Sequence, residues 1–151
     1  MPAKWRVFLD TSALFAAVHS ETGGARLILK LGEAGVLSLW IGPWVLREAE
    51  SVLKRKSPRS LAYFALLLDR ANIQIGPEAD EELLKVALSI IDYAPDAQVV
   101  AEALTLQADY LVSFDQEHLI RNPHTESLPF PVGTAGDFLA WYRDHLARED
   151  I

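Results

Sequence analysis

Cysteine is absent from the 151 residues. Its absence excludes disulfides, thiolate metal sites and a cysteine nucleophile, so any metal must be held by carboxylate, histidine or backbone oxygen. Cations are in deficit, 14 Lys and Arg against 21 Asp and Glu for a net charge of -7. That balance argues against a protein that coats nucleic acid nonspecifically, since such binding needs many cations on phosphates. Long apolar runs are missing too. The longest, residues 61–68, falls far short of the roughly 18 residues that span a bilayer, so no membrane association is expected. Lys4 and Arg6 precede an apolar stretch that Asp10 interrupts, without the pattern of a signal peptide; the chain reads as unprocessed and cytoplasmic. Internal repeats, linkers and low-complexity segments are lacking, as is the Gly-x-Ser-x-Gly turn of serine hydrolases. His19, His118, His124 and His145 are scattered without metal-ligand spacing and read as surface histidines. What is present is a chain half hydrophobic and 23% charged, the composition of a single globular domain over residues 1–151.

Strand and helix signals alternate along it. Val7, Phe8 and Leu9 form a short apolar run that stops at Asp10-Thr11-Ser12, a strand opening directly into a helix from about Ser12. Ala25, Leu27, Ile28, Leu31 and Ala34 carry helical spacing up to Gly35, and residues 36–41 read as a second strand. Gly42-Pro43 starts another helix and Pro58 the next. Residues 73–75 resemble a third strand, residues 80–91 a helix, and Ala94-Pro95-Asp96 opens a helix to about Gln107. Tyr110, Leu111 and Val112 form a fourth strand ending in Ser113-Phe114-Asp115. A last strand near residues 130–132 precedes a helix from about Thr134, with residues 120–129 the most irregular stretch. The alternation predicts an α/β fold, a three-layer α/β/α sandwich with a mainly parallel central sheet.

Ligands of such sheets lie beyond the C-terminal ends of the strands, where Asp10 and Asp115 both fall. If their strands are neighbours the two carboxylates converge, and helices entering the same crevice add Glu48 and Asp96. Four acids in one place repel one another unless a cation neutralises them, and hard oxygen donors select Mg2+ or Mn2+. Each acid also has an ordinary reading. Asp10 suits a helix N-cap, Asp115 the cap of a short turn, Asp96 the positive end of a helix dipole, and Glu48 a solvated helix face. Helical spacing alone does not choose between Glu48 and Glu50.

Taken together, Val7-Phe8-Leu9-Asp10-Thr11-Ser12, Val45-Leu46-Arg47-Glu48 with Val52-Leu53-Lys54-Arg55, and Asp96 through Ala108-Asp109-Tyr110-Leu111-Val112-Ser113-Phe114-Asp115 resemble the PIN-domain family. The match is ordered and spans nearly the whole chain. The resemblance implies a metal-dependent endoribonuclease, similar to the toxins of type II (VapC-like) toxin-antitoxin pairs. It assigns Asp10, Glu48, Asp96 and Asp115 to catalysis and to Mg2+ or Mn2+, favouring Glu48 over Glu50. Thr11, Ser12 and Ser113 match positions whose hydroxyls orient the acids or the metal-bound water. Phe114 is bulkier than the small residue usual there, and Asp92, one helical turn before Asp96, is a further candidate ligand.

Lys54, Arg55 and Lys56, near Arg59, form the densest positive cluster. They read either as a solvated helix end or as an RNA phosphate-contact patch leading into the acidic cleft. Residues 61–68 read as core, or as a face that buries against a second subunit of a homodimer or an antitoxin. A phosphatase with an aspartyl nucleophile needs a second Asp where Ser12 stands, and nothing positions the acid pair of a glycosidase. The competing reading is a catalytically weak PIN-like module that binds RNA or protein without cutting.

Overall fold

In the computed structural model, residues 4–149 are described. Five strands form one sheet: β1 (Arg6–Leu9), β2 (Ser38–Ile41), β3 (Gln74–Ile75), β4 (Tyr110–Val112) and β5 (Val132–Gly133). Their order is β3-β2-β1-β4-β5, and each neighbouring pair is parallel. The central strands are apolar on both faces: Val7, Phe8 and Leu9 of β1 and all three residues of β4 are buried, as a strand covered on both sides requires. Both residues of the edge strand β3 are exposed.

The connections are helical: α1 (Thr11–His19), α2 (Gly24–Glu33), α3 (Pro43–Lys56), α4 (Ser60–Arg70), α5 (Glu81–Ile90), α6 (Ala94–Leu106) and α7 (Ala135–Glu149). Helix α2 packs on α1 and α7, while α6 packs on α3 and α5, giving the outer layers of an α/β/α sandwich. The irregular stretch after β4 holds a π-helical turn, Gln116–Ile120, and a 3-10 turn, Pro123–Ser127. No helix among the described residues is long and apolar enough to cross a membrane.

Residues 61–68 are less buried than a core helix would be. In α4 only Phe64 and Leu67 are buried, while Tyr63 and Leu66 are exposed. One apolar stripe of α4 meets α3, and the rest of its circumference faces outward.

The chain runs outward from β1 through β2 to β3, then returns to build β4 on the other side of β1. The direction therefore reverses between β1 and β4, and the crevice at that reversal is where ligands of open parallel sheets bind. Leu9 pairs in register with Val112, so the next residues, Asp10 and Ser113, leave the sheet side by side.

Candidate metal centre

Asp10 is buried, and its backbone N–H donates to the Val112 carbonyl at 3.2 Å. Its Oδ1 accepts from Ser12 Oγ at 2.6 Å and from Ala13 N at 2.9 Å. The capping role expected of an Asp before a helix is thus fulfilled, and the carboxylate still lines the cleft. Burial pushes the Asp10 carboxyl above its ordinary value; hydrogen bonds from Ser113, Ser12 and Ala13 oppose the shift, and the Asp115 charge adds to it. Ser12 also accepts the Phe114 N–H at 2.9 Å, and Ser113 accepts the Asp115 N–H at 3.0 Å. The two serines tie the ends of β1 and β4 together. Phe114 is exposed and lies outside the cleft lining.

Helix α6 brings the third acid. Pro95 sits in its first turn, and Asp96 follows with a side chain 13% exposed. Burial, then the Asp115 carboxyl beside it, push Asp96 up to about 8, with further contributions from the charges of Asp10 and Glu48. Asp96 is the protonated member of the pair at neutral pH. Asp115 moves the other way: burial raises it, but the neighbouring Asp96 carboxyl, the His118 N–H and the imidazole outweigh burial and hold it low. Two carboxyls pushed apart in this manner share a proton in place of a cation.

Glu48, half-buried on α3, lines the same cleft, whereas exposed Glu50 borders a separate groove with Arg47, Ser51 and Lys54. Four acids therefore meet in a cleft of about 340 Å³ with Thr11, Ser12 and Lys56. A larger hollow of about 440 Å³ beside residues 120–132 has Glu126 as its lone acid and no basic lining residue. Asp92 is exposed in the bend before α6 and does not line the cleft. The basic cluster divides: Lys56 lines the acidic cleft, while Lys54 belongs to the groove of Glu50.

His118 is the residue that spacing did not single out. Asp115 caps the π turn, its Oδ1 accepting the His118 N–H at 2.9 Å, and that turn returns the imidazole onto the acids. His118 Nδ1 lies 3.2 Å from Asp115 Oδ2 and 3.3 Å from Asp96 Oδ2. Asp96, Asp115 and His118 each offer a ligand atom, all within 4.8 Å of one another, a set able to hold a metal ion. The surface reading of this histidine is thereby corrected. The available signal was the i, i+3 spacing of Asp115 and His118 across a turn.

Among the described residues, Asp96 Oδ2 and Thr11 Oγ1 are the buried side-chain polar atoms without a hydrogen bond. Buried polar atoms are normally paired, and both residues line the acidic cleft. The cluster of hard oxygen donors, with Thr11 Oγ1 unpaired beside it, fits a divalent cation.

The PIN domain family profile matches residues 6–117. The chain belongs to the PIN domain family. Solved structures that share its fold include two VapC-containing ones. VapBC2 from Rickettsia felis, bound to a DNA fragment from its promoter, superposes with a TM-score of 0.63 at 17% identity, covering 84% of this chain and 96% of that one. Mycobacterium tuberculosis VapC20, a toxin that cleaves the sarcin-ricin loop, superposes with a TM-score of 0.53 at 20% identity, covering 74% and 91%. No curated protein matches the chain significantly.

Proposed function

We propose that this PIN domain is a metal-dependent endoribonuclease, the toxin of a toxin-antitoxin pair, with Asp10, Glu48, Asp96 and Asp115 holding Mg2+ or Mn2+. One observation carries the proposal: four carboxylates line one cleft, where Thr11 Oγ1 is buried without a hydrogen bond and Asp96 Oδ2 faces the His118 ring nitrogen at 3.3 Å. The two VapC likenesses support the toxin reading through fold. A bound divalent ion supplies an acidified water and stabilises charge developing on phosphate oxygens.

The chain's own residues set up that chemistry. Ser12 and Ser113 fix Asp10 and the start of the Asp115 turn, so the carboxylates are aimed before any ligand arrives. Asp96 must release its proton when a cation replaces it. Thr11 Oγ1, unpartnered in the cleft, is placed to orient a water. Lys56 offers the cleft a cation for a phosphate, with Lys54 and Arg55 extending the positive end of α3.

His118 favours a second reading. Its imidazole partners both Asp96 and Asp115, so the acids have a partner without a metal, as a binding module that does not cleave would need. Mn2+-dependent cleavage of single-stranded RNA by the purified chain, compared with its Asp10→Asn variant, decides between them. RNA bound but uncut in every divalent ion establishes the binding module.

A further inference from the structure

We propose that Tyr93 is a nucleobase platform, against which the cleft stacks one unpaired base of single-stranded RNA beside the scissile phosphate. The inference rests on the ribonuclease reading above and names the form of substrate the cleft accepts.

Tyr93 occupies the N-cap position of α6 and makes no side-chain capping bond. Ser, Thr, Asp or Asn would supply that bond, so tyrosine here forgoes a stabilising contact. Nor is the ring buried in exchange, since 47% of the residue remains exposed. What the position does provide is placement: Tyr93 lines the acidic cleft and precedes Asp96 by three residues, at the rigid start of the helix that carries this acid.

The ring is also held in orientation. Its neighbour is the imidazole of His118, stacked with centroids 4.4 Å apart and planes inclined by 20°. His118 is itself fixed by Asp115, through its backbone N–H at 2.9 Å and its Nδ1 at 3.2 Å. The acids and the aromatic pair are therefore one rigid unit, and a base stacked on Tyr93 would sit in fixed relation to Asp96 and Asp115. Every base has a π face, so stacking tolerates sequence; proteins that hold single strands combine such rings with nearby cations. Lys56 in the same cleft is that cation. Duplex bases are already stacked and paired, so the ring engages only a base splayed from a single strand or loop.

A cycle of protein and RNA changes tests the contact. Binding is measured with the Asp10→Asn chain, which prevents cleavage, on a single-stranded RNA carrying one abasic nucleotide at each position in turn. One abasic position should weaken binding roughly tenfold, within the range for a single stacked base. Tyr93→Ala should weaken the intact RNA by a similar factor and abolish the further loss at that position, while Tyr93→Phe should bind as the parent does. Duplex RNA of the same sequence should bind more weakly and ignore the Tyr93→Ala change. If the abasic penalty persists unchanged in the Tyr93→Ala protein, the platform is overturned and the ribonuclease reading stands. If neither protein binds RNA, both are overturned.

Discussion

The carboxylate of Glu102, buried on α6, accepts the Trp44 N–H at 2.8 Å and the Val45 N–H at 3.3 Å in the first turn of α3. The helix carrying Asp96 thereby caps the helix carrying Glu48. The two N–H groups and the positive dipole end of α3 balance this buried acid, and the charge of Arg47 adds to them. Gly42 makes room for it, since a Cβ there would overlap the Glu102 carboxyl.

Glu102→Ala should therefore cost about 1–3 kcal/mol, the penalty for leaving buried donors unpaired. Glu102→Gln keeps one acceptor and should cost less. Urea unfolding measures both, and an unchanged midpoint for the alanine variant would show that the cap contributes nothing. Because α3 loses its anchor on α6, Mn2+ should also raise the melting temperature less in Glu102→Ala than in the parent.

The pH dependence of the metal-free protein follows from three carboxyls with raised values, Asp10, Asp96 and Glu102. A raised acid keeps in the folded state a proton that the unfolded chain releases, so the stability it contributes is full below its ordinary value. For Asp96 that contribution is lost as pH rises from 3.8 toward about 8. Asp115, held low, works oppositely and only below the ordinary value. Between these limits the folded state binds more protons at these sites, and stability falls with rising pH. The metal-free melting temperature should be higher at pH 6 than at pH 8. At one Mn2+ concentration the rise should be larger at pH 8, where Asp96 has less proton to release; a hundredfold excess over Kd adds about 2.7 kcal/mol of stability. A Mn2+ response larger at pH 6 would contradict Asp96 as a ligand.

Asp10→Asn, Asp115→Asn and Glu48→Gln keep side-chain shape and remove one negative donor each. Each should lower the rate of RNA cleavage by roughly a hundredfold or more, the scale of removing one electrostatic stabiliser from the reacting centre. Glu50→Gln should leave cleavage unchanged, because Glu50 faces the groove of Arg47 and Lys54. Single-turnover cleavage in Mn2+ measures all four. An essential Glu50 beside a dispensable Glu48 would place the metal on the wrong face of α3.

These residues also mark how far the sequence could be read. The ends of β1 and β4 were legible because an uninterrupted apolar triplet followed by a polar turn signals a strand buried on both faces, and Asp10 and Asp115 came with it. Glu48 over Glu50 was not legible from spacing: the rotation of α3 is set by contacts far away in sequence, among them the Glu102 cap. His118 was hidden because an Asp three residues before a His reads as an ordinary turn cap, and only the approach of Asp96 from α6 makes the imidazole part of the acidic cluster. Residues 61–68 join the core through the buried Phe64 and Leu67 while Tyr63 and Leu66 face outward, because apolar composition does not reveal how many sides of a helix have neighbours. The basic cluster read as a unit divides between two grooves, since consecutive residues of a helix point about 100° apart.

That division makes the last prediction specific. The net charge of -7 gives the protein no overall attraction for RNA, so binding must depend on local cations. Replacing Lys54, Arg55 and Lys56 together with alanine should weaken single-stranded RNA of any sequence and flatten the slope of log K against log salt by roughly 0.7 for each phosphate no longer neutralised. Base preference should survive, because phosphate contacts position the backbone without reading sequence. Among single changes, Lys56→Ala should account for most of the fall in cleavage, acting through KM, while Lys54→Ala, beside Glu50, should do little. Mn2+ affinity should not fall, since Lys56 in the cleft repels the ion, which separates a phosphate contact from damage to the acidic cluster. Salt titrations of binding with the Asp10→Asn protein, alongside wild-type cleavage kinetics, make the measurement. If Lys54→Ala proved the costly change, the RNA would cross the outer groove of α3 instead of entering beside Lys56, and the path to Asp96 would have to be redrawn from that side.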